Sequence, residues 1–346
     1  MSNGSVDVKY QPAVQLADAL AGKRRVVLTA HVDPDPDGLG SVLGLAHILR
    51  RSGWDTVPVC VGNVPSFAPA LPGSEHIVQF PSRLDEGMFP EQLLRPGDAL
   101  VVMDTPTAER MAAFYEVHRD VLPNCQVIVF DHHYTNDRYG TVNYVDPTAA
   151  ATAEVVVDVL DAGGIELDHD GAVGFMAALL ADTQCFRTEN TSARSLLLGH
   201  RLASAGAPIY PIAELLFKTR PVAGLKLWGA ALASLHADDG VIWTAITQEM
   251  LRQTNATMEE AEGLVDLLLS TRGTRVAIVL KESHPGETKV SMRTVPGVDA
   301  TRVVGAFGGG GHQRAAGCTI LAEPSEAAPQ LLPLVFAELD VVPAVA

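Results

Sequence analysis

The sequence predicts a two-domain α/β protein, in which a mostly parallel, doubly wound sheet is followed by a smaller, mixed α+β domain. The chain has 346 residues, more than a single hydrophobic core usually serves. With 47% apolar and 19% charged residues, it has the composition of a globular protein. In the first half, short apolar runs alternate with helical stretches, as in parallel sheets covered by helices. This alternation ends in the second half, which therefore predicts a separate domain.

Five short apolar runs in the first half predict buried strands, in the order RRVVLTAH, WDTVPVCV, HIVQF, DALVVMDT and CQVIVFDHH. Such runs, without strict alternation of polar and apolar residues, are typical of strands covered on both faces. Between the first two runs, residues 38–51 carry apolar side chains at helical spacing. Residues 148–206 are predicted to be all-helical, with an alanine-rich stretch followed by GAVGFMAALLADT and SARSLLLGHRLASAG.

The segment GAPIYPIAELLFKTRP contains three prolines and predicts the domain boundary. We therefore expect one domain over residues 1–206, a linker over residues 207–224 and a second domain over residues 225–346.

The second domain is predicted to contain both helices and strands. Helices are expected over residues 225–235 and 257–270, with the strand VIWTAIT between them. TRVAIVLKE and TKVSMRTV are predicted to be paired strands, followed by a short helix, a glycine run and the strand CTIL. Residues 323–346 predict one helix and a loose tail.

Composition excludes several classes of protein. No apolar run approaches the ~20 residues of a membrane span, and the first residues lack the apolar stretch of a signal peptide. The four cysteines are widely spaced, which argues against a zinc cluster or disulfide framework and predicts a cytoplasmic protein. A net charge of −16 argues against a broad grip on long nucleic acid. This net charge is compatible with a small phosphorylated substrate, because metals or a local basic patch can supply the positive charge that binds it.

Aspartates and histidines gather at the ends of predicted elements: His31, Asp35 and Asp37 after the first strand, Asp104 after VVM, Asp131, His132 and His133 after VIVF, and Asp182 at the end of a helix. Ligands bind at the carboxyl ends of strands in open parallel sheets. Converging aspartates would repel one another, so cations should hold them together. Carboxylate and imidazole ligands suit ions such as Mn²⁺ or Mg²⁺. Two such ions about 3.5–4 Å apart could generate a bridging hydroxide that attacks phosphorus.

Each part of this pattern has a simpler alternative. A single aspartate at a strand end is more often a helix cap or a turn residue. The metal site is therefore predicted from the four clusters together and not from any one residue. DPDPDG resembles the start of a calcium loop, which requires a glutamate at its twelfth position and a preceding helix. Counted from Asp33, that position is Gly44, and a strand precedes the loop. The calcium interpretation is therefore excluded.

The glycine run from Gly308 to His312 is a second candidate site, although a glycine run alone predicts only a flexible turn. It lacks the third glycine of a dinucleotide-binding loop and the Lys-Ser/Thr of a P-loop. Residues 271–320 contain seven Lys or Arg and only three Asp or Glu, a local excess that fits an anionic ligand. The backbone of the glycine run can approach a ligand closely, with His312 attached, and Arg293 is the arginine that we consider most relevant to such a ligand.

These motifs resemble a known family. HVDPDPDGLGS, VVMD, DHH and LLADTQCFRT resemble the four signature motifs of the DHH phosphoesterase superfamily, in their usual order. VSMRT and FGGGGHQRAAG resemble the C-terminal domain of one subfamily. The resemblance covers residues 15–320, and the length is similar to that of the nano-RNase/pAp-phosphatase subfamily. RecJ-type exonucleases are longer, with an added nucleic-acid-binding domain, and family II inorganic pyrophosphatases end in a domain without GGGGH.

The resemblance implies two Mn²⁺ ions, with Mg²⁺ or Co²⁺ as substitutes, and an active-site cleft between the two domains. His31, Asp35 and Asp104 would hold one ion. Asp37, Asp104, His132 and Asp182 would hold the other, with Asp104 as the bridge. His133 would contact the scissile phosphate or protonate the leaving oxygen, and Asp131 would orient a histidine. Arg293 and His312, with Gly310 and Gly311, would bind the rest of the substrate.

The resemblance also implies a function: hydrolysis of short RNA and of linear dinucleotides such as pApA to mononucleotides, and of pAp to AMP. The enzyme would be a cytoplasmic homodimer that binds neither membranes nor long duplexes. The alternatives are a RecJ-like exonuclease, an inorganic pyrophosphatase, a non-catalytic nucleotide sensor and direct hydrolysis of cyclic di-AMP. A sensor should have lost metal ligands, and none is missing here.

Overall fold

The computed structural model describes residues 15–23, 25–85, 90–218 and 220–341. The chain divides into two compact units, Met1–Thr219 and Arg220–Ala346. The division falls within residues 207–224, the segment predicted to be the linker. Most of it is helical, and Ile212 is buried in the core of the first unit. In the described part of the chain, none of the helices combines the length and apolar character needed to cross a membrane.

The first unit is built on a parallel sheet. Its described strands are β1 (Arg25–Ala30), β2 (Asp55–Val61), β3 (Val78–Phe80), β4 (Ala99–Met103), β5 (Gln126–Asp131) and β6 (Val142–Val145). Their spatial order is β3-β2-β1-β4-β5-β6, and every pairing is parallel. Strands β2 and β3 lie on one side of β1, and β4, β5 and β6 lie on the other. The carboxyl ends of β1 and β4 therefore flank the switch point at which α/β sheets bind ligands.

Helices cover both faces of this sheet, which confirms the predicted doubly wound architecture. The described helices are α1 (Leu16–Ala19), α2 (Pro36–Arg51), α3 (Ala113–His118), α4 (Thr152–Ala162), α5 (His169–Asp182), α6 (Ala193–Ser204) and α7 (Ile209–Phe217). Val26 and Leu28 of β1 pack with α2, α4 and α5 on one face. Val27 packs on the other face with Phe114 of α3. Because side chains alternate along a strand, a continuous apolar run supplies both cores.

The second unit contains a mixed sheet, as predicted. Its described elements are α8 (Val222–Ala233), β7 (His236–Asp238), β8 (Val241–Ile246), α9 (Gln248–Thr254), α10 (Leu264–Leu269), β9 (Val276–His284), β10 (Glu287–Thr294), α11 (Ala300–Gly305), β11 (Gly310–His312), β12 (Ala315–Ile320) and α12 (Pro324–Val341). The strand order is β11-β12-β10-β9-β8-β7. Only β8 and β9 pair in parallel; the other described pairs are antiparallel.

Several local predictions differ from the structure. Residues 257–270 are not one helix, because a 3₁₀ turn ends before Gly263, whose φ of +83° interrupts the helical backbone ahead of α10. The glycine run is not wholly a loop, since Gly310–His312 form the edge strand β11. Strands β6 and β7 were not predicted at all. The tail predicted after α12 lies outside the described residues.

Candidate metal centre

The predicted metal ligands come together in the first unit, at the ends of β1, β4, β5 and α5. Three groups of side chains each offer ligand atoms within 4.8 Å of one another: His31, Asp35 and Asp104; Asp37, His132 and Asp182; and Asp104, His132 and His133. The first two groups correspond to the two metal sites expected from the sequence, and Asp104 contacts members of both.

The first group is built by the turn that follows β1. His31 Nε2 lies 3.6 Å from Asp104 Oδ2 and 4.0 Å from Asp35 Oδ1. The other ring nitrogen, Nδ1, lies 2.9 Å from the Val32 carbonyl oxygen, which leaves Nε2 to face the carboxylates. Asp35 also begins α2, because its Oδ1 accepts a hydrogen bond from Gly38 N at 3.0 Å. A helix cap thus places Asp35 beside His31.

The second group surrounds the ring of His132. Nε2 lies 3.7 Å from Asp37 Oδ2, 3.4 Å from Asp104 Oδ1 and 3.2 Å from Asp182 Oδ2. Asp104 therefore presents Oδ1 to His132 and Oδ2 to His31. Its backbone has a φ of +50°, a left-handed conformation that aspartate tolerates better than most residues. The two oxygens of one carboxylate face two separate ligand groups.

Asp37 is held by the first turn of α4. Its Oδ2 accepts a hydrogen bond from Thr152 N at 2.7 Å, and its Oδ1 one from Ala153 N at 3.4 Å. Ala151 precedes this helix and has no side-chain group to cap it. The fully buried Asp37 carboxylate takes that role, and the helix N-terminus favours its negative charge. Thr152 also donates its hydroxyl to Asp104 Oδ1, at 3.4 Å. Sequence analysis missed Thr152, since nothing in its alanine-rich surroundings indicates these contacts.

Asp131 fixes the second histidine of the motif. Its buried Oδ1 accepts hydrogen bonds from the backbone N–H of His132 and of His133, at 2.7 and 3.1 Å. The same oxygen lies 2.7 Å from His133 Nδ1, which is also 3.3 Å from Asp104 Oδ1. Asn136, which was not predicted, donates to Asp131 Oδ2 at 2.6 Å. With Nδ1 engaged by carboxylates, proton transfer by His133 would use Nε2.

The raised pKa values of two carboxyl groups indicate that the centre is suited to cations. Burial, Asp104 and Asp182 raise the pKa of Asp35 to about 6, and burial with Asp182 and Asp104 raises the pKa of Asp37 well above its usual value. Burial and mutual repulsion therefore oppose the negative charge of these two carboxylates, and divalent cations could neutralise it. Four carboxylates and two imidazoles form a ligand set for ions of the Mn²⁺ or Mg²⁺ type. The residues present thus suit metal binding.

In the second unit, the predicted substrate-binding residues share one face of the sheet. Arg293 on β10 and His312 on β11 both pair with Ala315 of the intervening strand β12. Residues directly opposite one another on adjacent strands point to the same face, with strands about 4.8 Å apart. Arg293 is half-buried, and its Nε donates to Asp266 Oδ1 at 3.1 Å. Sequence analysis did not foresee this carboxylate partner.

Two of the predicted glycines lie on β11, where their backbone is exposed. Gly311 has a φ of +139°, and a Cβ placed there would lie 2.5 Å from the Ala315 carbonyl oxygen. No side chain fits at Gly311, so β11 presents bare backbone next to His312.

Comparison with known proteins agrees with this architecture. Residues 25–182 match the model of the DHH family, N-terminal domain, and residues 239–339 match that of the DHHA1 domain. The chain is 32% identical over 295 residues to the bifunctional oligoribonuclease and PAP phosphatase NrnA of Thermus thermophilus, covering 85% of this chain and 84% of that protein. It is 27% identical to the protein of the same name from Bacillus subtilis, covering 85% and 89%.

Among solved structures, the fold is similar to that of an exopolyphosphatase-related protein from Bacteroides fragilis. The TM-score is 0.85 at 22% identity, covering 93% of this chain and 95% of that one. This likeness shows the shared fold. It confirms the α/β architecture expected from the sequence, and the two domain matches with the identity to the Thermus protein confirm the family. The chain belongs to the DHH phosphoesterase superfamily, in the nano-RNase/pAp-phosphatase subfamily, and is a metal-dependent phosphoesterase.

Proposed function

We propose that this enzyme uses two Mn²⁺ ions to hydrolyse short RNA and linear dinucleotides such as pApA to mononucleotides, and pAp to AMP. The observation that carries the proposal is the arrangement of Asp104, with Oδ2 facing His31 and Oδ1 facing His132. His31, Asp35 and Asp104 would hold one ion, and Asp37, Asp104, His132 and Asp182 the other. When bound, the ions would activate a water molecule and neutralise the phosphate that it attacks.

The two substrate types present the same reacting group. In pApA and in pAp, the scissile phosphorus is attached to O3′ of a 5′-phosphorylated adenosine. Water adds its oxygen to that phosphorus, the P–O3′ bond breaks, and O3′ leaves with a proton. The products are two AMP molecules from pApA, and AMP with phosphate from pAp. One site that recognises a nucleoside 5′-phosphate and cleaves at O3′ therefore suffices for both activities.

The protein's own side chains would handle the proton. We assign its donation to His133 Nε2, because Nδ1 of this ring lies 2.7 Å from Asp131 Oδ1. Asp131 accepts backbone hydrogen bonds and one from Asn136, so it can hold the ring without moving. The contact at Nδ1 leaves Nε2 as the ring nitrogen that can face the substrate. His133 would thus be the general acid and Asp131 its positioning residue.

We propose that the second unit binds the 5′-phosphate of the leaving nucleotide through Arg293 and His312, with the exposed backbone of Gly310 and Gly311 beside them. Charged hydrogen bonds from arginine to phosphate contribute ~1.5–3 kcal/mol each. A long polyanion would gain little more, because the chain carries a net charge of −16. Short substrates with a terminal phosphate are therefore favoured.

We expect the enzyme to act as a homodimer in the cytoplasm. The homodimer follows from the subfamily resemblance, and the cytoplasmic location follows from the widely spaced cysteines. The four cysteines, all free and three of them buried, are consistent with a reducing compartment.

The test is a turnover panel with Mn²⁺: pAp, pApA, 5′-phosphorylated RNAs of increasing length, cyclic di-AMP and pyrophosphate. We expect kcat/KM to fall steeply from RNAs of two to five nucleotides to long strands. Equal or faster turnover of long strands would indicate a RecJ-like exonuclease, and preference for pyrophosphate a pyrophosphatase. Nucleotide binding without any hydrolysis would indicate a sensor. Cyclic di-AMP cleaved as fast as pApA would show direct opening of the ring.

A further inference from the structure

The connection between β6 and α4, together with the first two residues of α4, contacts the proposed metal ligands with its backbone. We call residues 146–153 the ligand-facing loop. The Ala149 carbonyl oxygen lies 3.3 Å from His132 Nδ1, the ring nitrogen opposite the carboxylates. Thr152 N and Ala153 N donate to the two oxygens of Asp37. The ligand-facing loop therefore sets the orientation of one histidine and one aspartate of the same ligand group.

Charged side chains hold this loop from outside the centre. Arg194, near the start of α6, donates from Nη1 to Asp146 Oδ2 and from Nη2 to Asp158 Oδ2, both at 2.6 Å. Its Nε lies 3.5 Å from Glu154 Oε2, which accepts a hydrogen bond from Ala150 N at 3.1 Å. Asn190 donates to the Ala150 carbonyl oxygen at 3.1 Å. One guanidinium thus joins the first residue of the loop to the helix that follows it.

This arrangement depends on arginine geometry. Only 15% of the Arg194 side chain is exposed, and that of Glu154 is fully buried. Arg194 is the cation shared by three carboxylates, and a planar guanidinium can serve several of them in fixed directions. Lysine would keep the positive charge, but its compact ammonium cannot reproduce both short bonds. The link that Arg194 makes between Asp146 of the loop and Asp158 of α4 would then be broken.

We propose that Arg194 is a positioning residue that sets the affinity of the Asp37–His132–Asp182 group for its metal ion. The inference rests on the proposed function, in that these three residues are taken as ligands. Arg194 does not itself contact any of them; it acts through the ligand-facing loop. Partners that orient metal ligands typically change metal affinity 10–100-fold when they are mutated. The contact of the His31–Asp35–Asp104 group with this loop is the hydrogen bond from the Thr152 hydroxyl to Asp104. The affinity of that group for its metal ion should therefore depend less on Arg194.

The test compares Arg194→Lys with Arg201→Lys. Arg201 lies on the same helix and binds Asp161 of α4 through both terminal nitrogens, at 2.5 and 2.6 Å, but does not hold the ligand-facing loop. Mn²⁺ is titrated calorimetrically into the metal-free, full-length proteins. We expect Arg194→Lys to weaken one of two binding events 10–100-fold and the other less than threefold. Arg201→Lys should leave both within about twofold. With pApA as substrate, kcat of Arg194→Lys should recover at saturating Mn²⁺.

Each alternative result is decisive. Unchanged Mn²⁺ affinities in Arg194→Lys would overturn the proposal, as would equal weakening by both variants, which would show general support of the fold. A wild-type protein that binds no Mn²⁺ would instead refute the proposed metal centre, and the role of Arg194 with it. If Arg194→Lys fails to fold, Asp146→Asn replaces it. That variant can keep the Oδ1 contacts to Thr148 while losing the acceptor for Arg194, and it should show the same selective weakening.

Discussion

Gly40 of α2 and Gly174 of α5 bring two helix backbones into direct contact. A Cβ on Gly40 would lie 2.6 Å from the Gly174 carbonyl oxygen, and one on Gly174 would lie 2.6 Å from that of Gly40. Helix α2 begins beside Asp35, and α5 ends at Asp182. The close approach of the two helices therefore helps to set the distance between ligands that are almost 150 positions apart in sequence.

Gly40→Ala should destabilise the protein. The added methyl group meets backbone, which cannot move without separating the helices, and overpacking of this kind costs about 1–3 kcal/mol. Urea unfolding of the metal-free protein measures the change. Gly229→Ala is the control, because a Cβ on that α8 glycine meets nothing within 4 Å among the described residues, and it should stabilise by about 0.5–1 kcal/mol. Equal effects of the two changes would contradict the role of the contact.

Asp104→Asn should abolish activity while the fold persists. Asparagine keeps the shape of the side chain and tolerates the φ of +50°, but it supplies only one neutral oxygen for two ligand groups. We expect the loss of both ions by elemental analysis and a decrease in turnover of ~10²-fold or more. Circular dichroism should show an intact fold. A chelator-treated wild-type protein that stays active would refute the metal mechanism altogether.

The adjacent histidines should respond differently to truncation. His132→Ala should lower the metal content, because Nε2 of this ring faces Asp37, Asp104 and Asp182. His133→Ala should keep the metals and lose turnover by ~10²–10⁴-fold, the contribution of a general acid. Metal content and kcat are measured on the same preparations. Equal metal loss in both variants would show that His133 is a ligand instead.

Arg293→Ala should weaken the binding of 5′-phosphorylated dinucleotides. Removal of a charged hydrogen bond to phosphate should raise KM about 10–100-fold, whereas a small artificial phosphodiester without a terminal phosphate should be affected much less. Asp266→Asn removes the carboxylate that now binds Arg293, so KM for pApA should stay the same or decrease. Arg302→Ala, at an exposed arginine of the same unit, is the matched control. A similar increase of KM for both substrates would argue against a phosphate contact.

The stabilising effect of Asp168 should disappear in acid. Burial raises its pKa, but hydrogen bonds from Gly171 N and His47, with the charge of Arg51, outweigh burial and hold the pKa below its ordinary 3.8. A pKa that is lower in the folded state stabilises the protein above the ordinary value, and this effect is lost as the pH falls through the folded-state pKa. Asparagine can still cap the helix, but it loses the charge beside His47 and Arg51. Asp168→Asn should therefore cost about 0.2–1 kcal/mol at pH 7 and less at pH 3. Urea unfolding of the metal-free proteins at both pH values measures this. A cost independent of pH would show that the charge contributes nothing.

The sequence alone determined the first sheet and the chemistry at its edge. Strands buried on both faces are continuous apolar runs, so β1, β4 and β5 are visible locally. Because parallel strands end at one edge, the residues after them can be expected to meet, as His31, Asp104 and His132 do. The motifs and their order also indicated the family, which the comparisons confirm.

The local sequence pattern did not predict the structure at edge strands or where a glycine changes the backbone conformation. Strand β6 lies at the edge of its sheet, and its first two residues are only partly buried, so it lacks a clear apolar run. The helical spacing of residues 257–270 continues through Gly263, yet that glycine adopts a positive φ and divides the segment. The glycine run becomes strand β11 because β12 provides it with hydrogen-bonding partners.

Only the tertiary structure decided what holds the site in place. The capping of α4 by Asp37, the grip of Arg194 on the ligand-facing loop and the pairing of Arg293 with Asp266 join residues 27 to 115 positions apart. Each contact is a single polar interaction between distant segments. It leaves no periodicity in either segment, because hydrophobic spacing reports only which face of an element is buried. The ligand types could be read from the chain, whereas their orientation depends on contacts that exist only after folding.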